Sequence, residues 1–518
     1  MHGDQGCSRR RQLLQALAGA GAAALAGCSD AREGTDDTAD TDVESTSKPD
    51  GEPTPTEESA LQALDADHLV GAHYYAWYGT PGGAYETWTD ESPSEPVLGE
   101  YNAQDPGVMD QHVAWCLEHG ITWLNCSWWA PGRYDDETLR EHLPRADRFE
   151  DIQFSILYET LGRFEGGPPF DADTVLERFA SDLEYLDEAF FQWDNYLHLD
   201  GRPVLYVYVA GTLTGDVAAM YEEATDDAGV DPYLLIDVTN WGALDSVAPF
   251  EVADGATIYN PYEDREDIEE VFHDRYESGL ESLRLACEYA GVDFFAPILP
   301  GYDDTEIVHD DRDPGAVLSA SPERYERACD QLRPHLDAAE GVLVTSFNEW
   351  FEDTQIEPSE AYGTDYLELT ADRLATGDPE PFEPAGTVVE LAWETTVRAH
   401  DRPGAPSTDT RLLAFDCYEL VVFDADGEAV VSYDVGARDA EPTFVLGVHG
   451  RESRNGETAR WFGGYAGSTV VLTGADAVGG IELDGLAVDD MELIVTVGEQ
   501  SASVTLDGDE RARYQVEV

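Results

Sequence analysis

The chain has 518 residues, and its 29 Lys and Arg against 108 Asp and Glu give a formal net charge of −79. So acidic a polymer excludes recognition of nucleic acid or anionic lipid through a basic patch. With 42% apolar and 10% aromatic residues it can still bury a large core, which excludes a chain disordered throughout. One lysine, Lys48, stands beside 28 arginines. Abundant carboxylate with almost no lysine is the surface expected of a halophile, where salt screens self-repulsion. The other acidic explanation, calcium binding, lacks an Asp-x-Asp-x-Asp-Gly loop with Glu at its twelfth position. No metal site and no cofactor are expected.

The N-terminus reads as an address. Ser8-Arg9-Arg10-Arg11-Gln12-Leu13-Leu14 is a twin-arginine pattern, followed by an apolar stretch to Leu25 too short to span a bilayer. Leu25-Ala26-Gly27-Cys28 resembles a lipobox, so residues 1–28 are expected to be a signal peptide and Cys28 the lipidated residue. Export by the twin-arginine route, lipid anchoring on the extracellular face and contact with the membrane only through that anchor follow from this reading. Residues 29–66, rich in Asp, Glu, Thr, Ser, Pro and Gly, are expected to form a disordered acidic tether. Cys116, Cys126, Cys287, Cys329 and Cys417 are scattered, without a Cys-x-x-Cys pair, and are expected to be buried thiols.

From residue 67 to 384 short apolar runs alternate with amphipathic segments. The runs are Leu69–Tyr75, Ile121–Trp128, Gln153–Tyr158, Pro203–Val209, Tyr233–Val238, Ala256–Tyr259, Phe294–Leu299 and Val342–Phe347. Eight strands with intervening helices, among them Pro106–His119 and Asp264–Tyr289, predict an α/β fold, a (β/α)8 TIM barrel. The connection from Asn240 to Asp254 carries only a weak helix. Residues 385–518 change texture to Val388–Trp393, Tyr418–Phe423, Ala429–Tyr433, Thr443–Val448, Thr469–Leu472, Met491–Val497 and Ser503–Leu506. Those runs predict an antiparallel β-sandwich, in which Trp461-Phe462-Gly463-Gly464-Tyr465 is either a sugar platform or ordinary packing.

Chemistry in a barrel belongs at the C-terminal strand ends. There the sequence places Tyr74, Tyr75 and Trp77; Trp128 and Trp129; Tyr158 and Glu159; Tyr206 and Tyr208; Asp237 and Asn240; Tyr259; Tyr302, Asp303 and Asp304; and Asn348, Glu349, Trp350 and Glu352. Aromatic rings and carboxylates without basic residues suit a sugar, whose C–H faces stack on rings and whose glycosidic bonds are cleaved by paired carboxylic acids. A phosphate would call for Lys, Arg or a Gly-rich helix start. Each aromatic taken singly fits core packing equally well, and a lone Glu-x-x-Glu is commonly a solvated face. Glu349 and Glu352 stand out because two carboxylates three residues apart after the last strand can face one cleft.

Thr345-Ser346-Phe347-Asn348-Glu349-Trp350-Phe351-Glu352-Asp353-Thr354-Gln355-Ile356-Glu357-Pro358 closely resembles the signature of glycoside hydrolase family 99, the endo-α-1,2-mannosidases and endomannanases. Tyr74-Tyr75-Ala76-Trp77-Tyr78-Gly79, Asp200-Gly201-Arg202-Pro203-Val204 and Pro300-Gly301-Tyr302-Asp303-Asp304-Thr305 resemble further motifs of that family in the same order, over about Val70 to Glu357. The resemblance implies metal-independent, retaining cleavage within an α-mannose-containing polysaccharide or glycan, with the substrate's 2-hydroxyl as nucleophile and a 1,2-anhydro sugar as intermediate. It makes Glu349 the ionised base that deprotonates the 2-hydroxyl, and Glu352 the protonated acid that serves the leaving oxygen and then activates water. Tyr259 and Tyr74 or Tyr75 would hydrogen-bond around that pair. Where the family usually has His and Gly, this chain has Phe351, which lacks a polar partner, and Asp353, whose charge would raise the pKa of Glu352. The family's third-strand motif aligns with Tyr158 to Arg163 in more than one way and assigns no role to Glu159. A monomer is expected. Two other classes stay open: a non-catalytic surface glycan-binding lipoprotein, and a glycan-assembling glycosyltransferase, against which export argues because nucleotide-sugar donors are cytosolic.

Overall fold

The computed structural model describes residues 69–79, 88, 94–238, 248–307, 314–376, 382, 385–399, 411–454, 456–465, 467–508 and 510–518. The expected signal peptide, Cys28, the tether and Asn240 lie outside the described residues. Parallel strands β1 (Leu69–Tyr74), β2 (Trp123–Trp128), β3 (Gln153–Tyr158), β4 (Arg202–Val207), β5 (Tyr233–Asp237), β6 (Gly255–Thr257), β7 (Asp293–Ile298) and β8 (Ala339–Val344) each pair with the next in sequence. Pairing of Leu69 to Ala72 with Gly341 to Val344 joins β8 to β1 and closes an eight-stranded TIM barrel. All eight expected runs are therefore barrel strands.

The α-helices of six or more residues are α1 (Pro106–Glu118), α2 (Ala172–Leu186), α3 (Val217–Ala228), α4 (Ile268–Ala290), α5 (Pro322–Leu332) and the short α6 (Asp365–Thr370). Their ends follow local chemistry. Asp105 accepts the Gly107 N–H ahead of Pro106, and Gly291 closes α4 at φ 72°. Between β5 and β6 the described residues form only a 3-10 turn, Ala248–Glu251, as the weak sequence pattern there suggests.

The barrel wall sorts side chains by parity, because alternate residues of a strand face opposite sides. Val70, Ala72, Tyr74, Cys126 and Trp128 pack outward with the helices. Trp123, Leu157, Tyr206, Tyr233, Leu235, Phe295 and Leu343 pack inward with Tyr75. A Cβ on Gly71 would lie 2.3 Å from the Trp123 ring, and one on Gly255 would lie 2.8 Å from Phe295. Glycine on one strand thus makes room for a ring on its neighbour, and the lower barrel is filled. Cys116, Cys126, Cys287, Cys329 and Cys417 are all buried and free.

The C-terminal residues form two large antiparallel sheets and a two-stranded one, Val397–Arg398 with Leu412–Leu413. One runs Phe444–Leu446, Ser468–Thr473, Thr387–Trp393, Met491–Val497, Gln500–Leu506; the other runs Glu452–Arg454, Glu457–Phe462, Phe415–Phe423, Gly480–Ala487, Ala512–Glu517, with Ala429–Asp434 also paired to Phe415–Phe423. Leu391, Phe415, Phe462, Ile481 and Leu493 share the core between them. Trp461 and Phe462 are 1% and 0% exposed, so of the two alternatives for that segment these rings follow the packing one, while Tyr465 is half-buried. Val445, Leu446, Val470 and Leu472 join the same core as Leu280 and Leu283 of α4, and Glu281 accepts the Ala385 N–H at 2.8 Å.

Candidate active site

After β8 the chain folds back on itself. Ser346 N–H donates to Thr354 O at 2.7 Å, Glu357 N–H to Phe347 O at 2.7 Å, and Phe347 N–H to His73 O of β1 at 2.8 Å. Asp303 N–H donates to Glu352 O at 2.8 Å, which ties the loops after β7 and β8 together. The result is a closed turn that presents Glu349 and Glu352 at the barrel mouth.

Glu349 is 3% exposed; its Oε1 accepts the Phe351 N–H at 3.2 Å and its own N–H donates to Ser346 Oγ at 2.7 Å. Burial first, and then the charge of Glu352, hold its carboxyl well above the usual range, with Glu159 adding to the effect. Burial and the neighbouring charge thus work against the ionised state that the resemblance implies for Glu349. Glu159, at the end of β3 and 5% exposed, is pushed up to about 8 by burial, aided by Asp135 and Glu352 and opposed by Ser127. Three carboxyls from two strand ends therefore share one electrostatic environment. Glu159 lies on the inward parity of β3, two residues on from Leu157 and four from Ser155, and counting by twos finds it.

Tyr75 and Tyr259 bond hydroxyl to hydroxyl across the mouth. Burial is the main reason both are pushed far above the ordinary tyrosine value; Glu159, Glu349 and Glu352 add to it at Tyr75, and Tyr75, Glu352 and Glu349 at Tyr259. Asp237 accepts the Tyr259 N–H at 3.0 Å and fixes that strand end. Tyr208 meets the Tyr259 ring edge-on at 5.0 Å. Trp77 lies 4.5 Å from the Tyr75 ring and 6.2 Å from Trp129, and both tryptophans are half-buried. Trp129 Nε1–H donates to Ser127 Oγ at 3.1 Å, and Ser127 donates to Glu159 at 2.6 Å.

Asn348 and Trp350 stand behind the site. Asn348 bonds the Tyr75 backbone through Oδ1 at 2.7 Å and Nδ2 at 2.9 Å. Glu357 accepts from Trp350 Nε1 and from the Tyr101 hydroxyl, each at 2.9 Å, and pairs with His112 Nε2 at 3.1 Å. Glu357 belongs to the motif after the last strand, but Tyr101 and His112 carry no conspicuous sequence signal, since Tyr101 meets Glu357 across 256 positions.

Tyr74 and Trp128 do not join the cleft, which corrects their assignment to substrate. Tyr74 faces the helices and bonds His112 Nδ1 at 3.1 Å, while Trp128 stacks on Tyr185 and donates to Asp136 at 2.9 Å. Asp304 accepts from Gly315 N–H at 2.8 Å and from the Tyr302 hydroxyl at 3.2 Å, Tyr302 stacks on Tyr262, and Asp303 accepts from Thr305. Those three shape the loop beside Glu352. Phe351 packs near Tyr78 and Trp88 at 5.6 and 6.2 Å. Asp353 has φ 51°, a left-handed conformation that favours glycine but that Asp tolerates, and it accepts from Ser94 Oγ and Gln355 Nε2.

A family model described as Glycosyltransferase WbsX matches residues 177–370. The chain is 23% identical over 361 residues to the glycoprotein endo-alpha-1,2-mannosidase of Mus musculus, covering 58% of this chain and 71% of that one. It is 24% identical over 353 residues to the glycoprotein endo-alpha-1,2-mannosidase-like protein of Homo sapiens, covering 57% and 70%. Among solved structures, a family 99 glycoside hydrolase endo-alpha-mannosidase of Bacteroides thetaiotaomicron aligns at 19% identity with a TM-score of 0.45, over 60% of this chain and 97% of that one. The sequence matches support a relationship between this chain and the endo-α-mannosidases.

Proposed function

We propose that the protein is a retaining, endo-acting glycoside hydrolase that cleaves α-mannosidic bonds in a polysaccharide or glycan. The observation that carries this reading is the Glu349, Glu352 and Glu159 cluster beside the bonded Tyr75–Tyr259 pair, at the C-terminal mouth of a barrel whose sequence is similar to endo-α-1,2-mannosidases. Two neighbouring carboxyls that raise one another's proton affinity titrate as a unit and share one proton over a wide pH range. In that singly protonated state one member is a base and the other an acid. Glu349 takes the proton of the 2-hydroxyl as its oxygen attacks the anomeric carbon, and Glu352 protonates the departing glycosidic oxygen. Glu352 then deprotonates a water that opens the 1,2-anhydro ring, and Glu349 returns its proton to the 2-oxygen. Trp77, Trp129 and Tyr208 supply rings for sugar C–H faces. We further propose export of the protein and its anchoring through Cys28.

The match to a glycosyltransferase model over residues 177–370, a span that includes both glutamates, favours a glycan-assembling enzyme as the second reading. Product analysis of α-1,2-branched mannan and short α-mannosides in multimolar salt separates the two, alongside Glu349→Gln and Glu352→Gln. Oligosaccharides released by the wild type and by neither variant support hydrolysis. Chain extension only with an activated sugar donor supports transfer, and binding without turnover in all three proteins supports a glycan-binding lipoprotein.

A further inference from the structure

Below the tyrosines of the mouth, the barrel interior holds a second polar layer whose hydrogen-bond directions can be followed atom by atom. Trp123 Nε1–H can only donate, and it donates to Ser155 Oγ at 2.8 Å. Ser155 in turn donates its single proton to Asn125 Oδ1 at 2.8 Å. The amide is thereby oriented, and Asn125 Nδ2 lies 3.1 Å from His73 Nδ1. His73 Nδ1 is therefore the acceptor, and the ring's proton sits on Nε2. The ring is fully buried, and desolvation lowers its pKa to about 3, so it remains neutral.

That Nε2–H has no acceptor among the described residues. Two other buried polar atoms, Tyr206 Oη and Thr257 Oγ1, likewise have no partner among them. The three come from β1, β4 and β6, and each lies one inward step, two residues, below a tyrosine of the mouth: His73 below Tyr75, Tyr206 below Tyr208, Thr257 below Tyr259. The His73 ring lies 5.0 Å from both the Tyr206 and the Tyr259 rings, and Thr257 stands two residues before Tyr259 on the same inward face of its strand. One committed donor and two hydroxyls complement a single water, which accepts from His73 and has two protons and a second lone pair for the hydroxyls. A buried polar group left unmatched is costly, and three bonds are typical of a buried water.

We propose that a water molecule is bound inside the barrel by His73 Nε2, Tyr206 Oη and Thr257 Oγ1, and that His73, fixed between Asn125 and this water, is a positioning residue for Tyr259. The positioning role rests on the mannosidase reading of the cleft; the water site does not.

The test is a high-resolution crystal structure of the exported chain together with kinetics of His73→Phe and His73→Gln. The expected result is one water peak about 2.7–3.2 Å from all three atoms in the wild type. His73→Phe, which removes donor and acceptor, is expected to lose the peak and to lower kcat on the order of tenfold while KM stays within about twofold, because a misplaced catalytic neighbour slows turnover more than binding. His73→Gln, which keeps an acceptor and a donor, is expected to retain the water and most of kcat. Thr257→Val removes one water ligand with little change of shape and tests the site if His73→Phe does not fold; the peak should weaken or vanish. A dry interior in the wild type, direct bonding among the three side chains, or a Phe variant with wild-type kcat would overturn the proposal. If the wild type cleaves no mannoside, the mannosidase reading fails while the crystallographic result still decides the water site.

Discussion

The two faces of the barrel wall use the same residue types for opposite ends. Tyr74 and Tyr75 are neighbours, as are Trp128 and Trp129, yet one peptide unit sends the first of each pair into the helix layer and the second into the barrel mouth. The outer members have settled partners, His112 for Tyr74 and Asp136 for Trp128. The inner members are tied to groups at the barrel mouth: Tyr75 to Tyr259, and Trp129 through Ser127 to Glu159. Strand parity, more than residue type, divides stability from chemistry in this wall.

The contrast can be broken most severely at its centre. Glu349→Gln is expected to cost on the order of a thousandfold in hydrolysis, since it removes the carboxyl proposed as the base, without lowering the thermal midpoint at neutral pH. The neutral amide relieves a buried group whose charged form is disfavoured; a drop of many degrees would instead show that the carboxylate holds the loop together.

The tyrosine pair should separate next. Tyr75→Phe is expected to lower kcat by about tenfold to a hundredfold with little change in unfolding free energy. Tyr74→Phe should leave kcat unchanged and cost about 1–2 kcal/mol, because His112 Nδ1 loses its buried partner. Denaturant titration and initial rates on both variants check the crossover, and a Tyr74→Phe variant with impaired kcat would erase the division between faces. For the tryptophans, Trp128→Phe should lower stability by about 1–3 kcal/mol through loss of the Asp136 bond, whereas Trp129→Phe should mainly raise KM by a few-fold.

The smallest effect is one of pH. A carboxyl whose folded pKa is raised binds protons in the native state that the unfolded chain has released, so it reduces stability as pH climbs from the ordinary value of 4.5 toward the folded value of about 8. Glu159→Gln should therefore raise the melting temperature above that of the wild type by an amount that grows through this window, levels off above about pH 8, and vanishes below about pH 4. Parallel melting curves at every pH would show that Glu159 is not held in its protonated form.

Much of this was legible in the chain. Eight apolar runs marked the barrel strands because inward and outward faces are both buried, and Asp105-Pro106 and Gly291 marked helix ends by their own backbone chemistry. Glu349 and Glu352 were legible by place and motif. Parity at a strand's last residues was harder to read, because aromatics sit on both faces there and Tyr74 and Trp128 look no different from Tyr75 and Trp129. Proton affinity was harder still: which glutamate is buried depends on Ser346, Phe351 and Glu159 meeting in space. In the C-terminal sheets Gly480–Ala487 escaped notice, since its glycines and acids weaken the strand pattern. Gly485 is there for contact, because a Cβ would lie 2.1 Å from Asp416 O.

The apolar contact between α4 and the strand pair Phe444–Leu446 and Ser468–Thr473 has a practical corollary. Because Leu280 and Leu283 share one core with Val445, Leu446, Val470 and Leu472, cutting the chain near residue 385 would not liberate a self-sufficient barrel. It would strip an oily flank of its cover and strand Glu281 without the Ala385 amide. The C-terminal sheets are in this sense a wall of the enzyme's own house, and a trimmed variant would be expected to clump before it could be assayed.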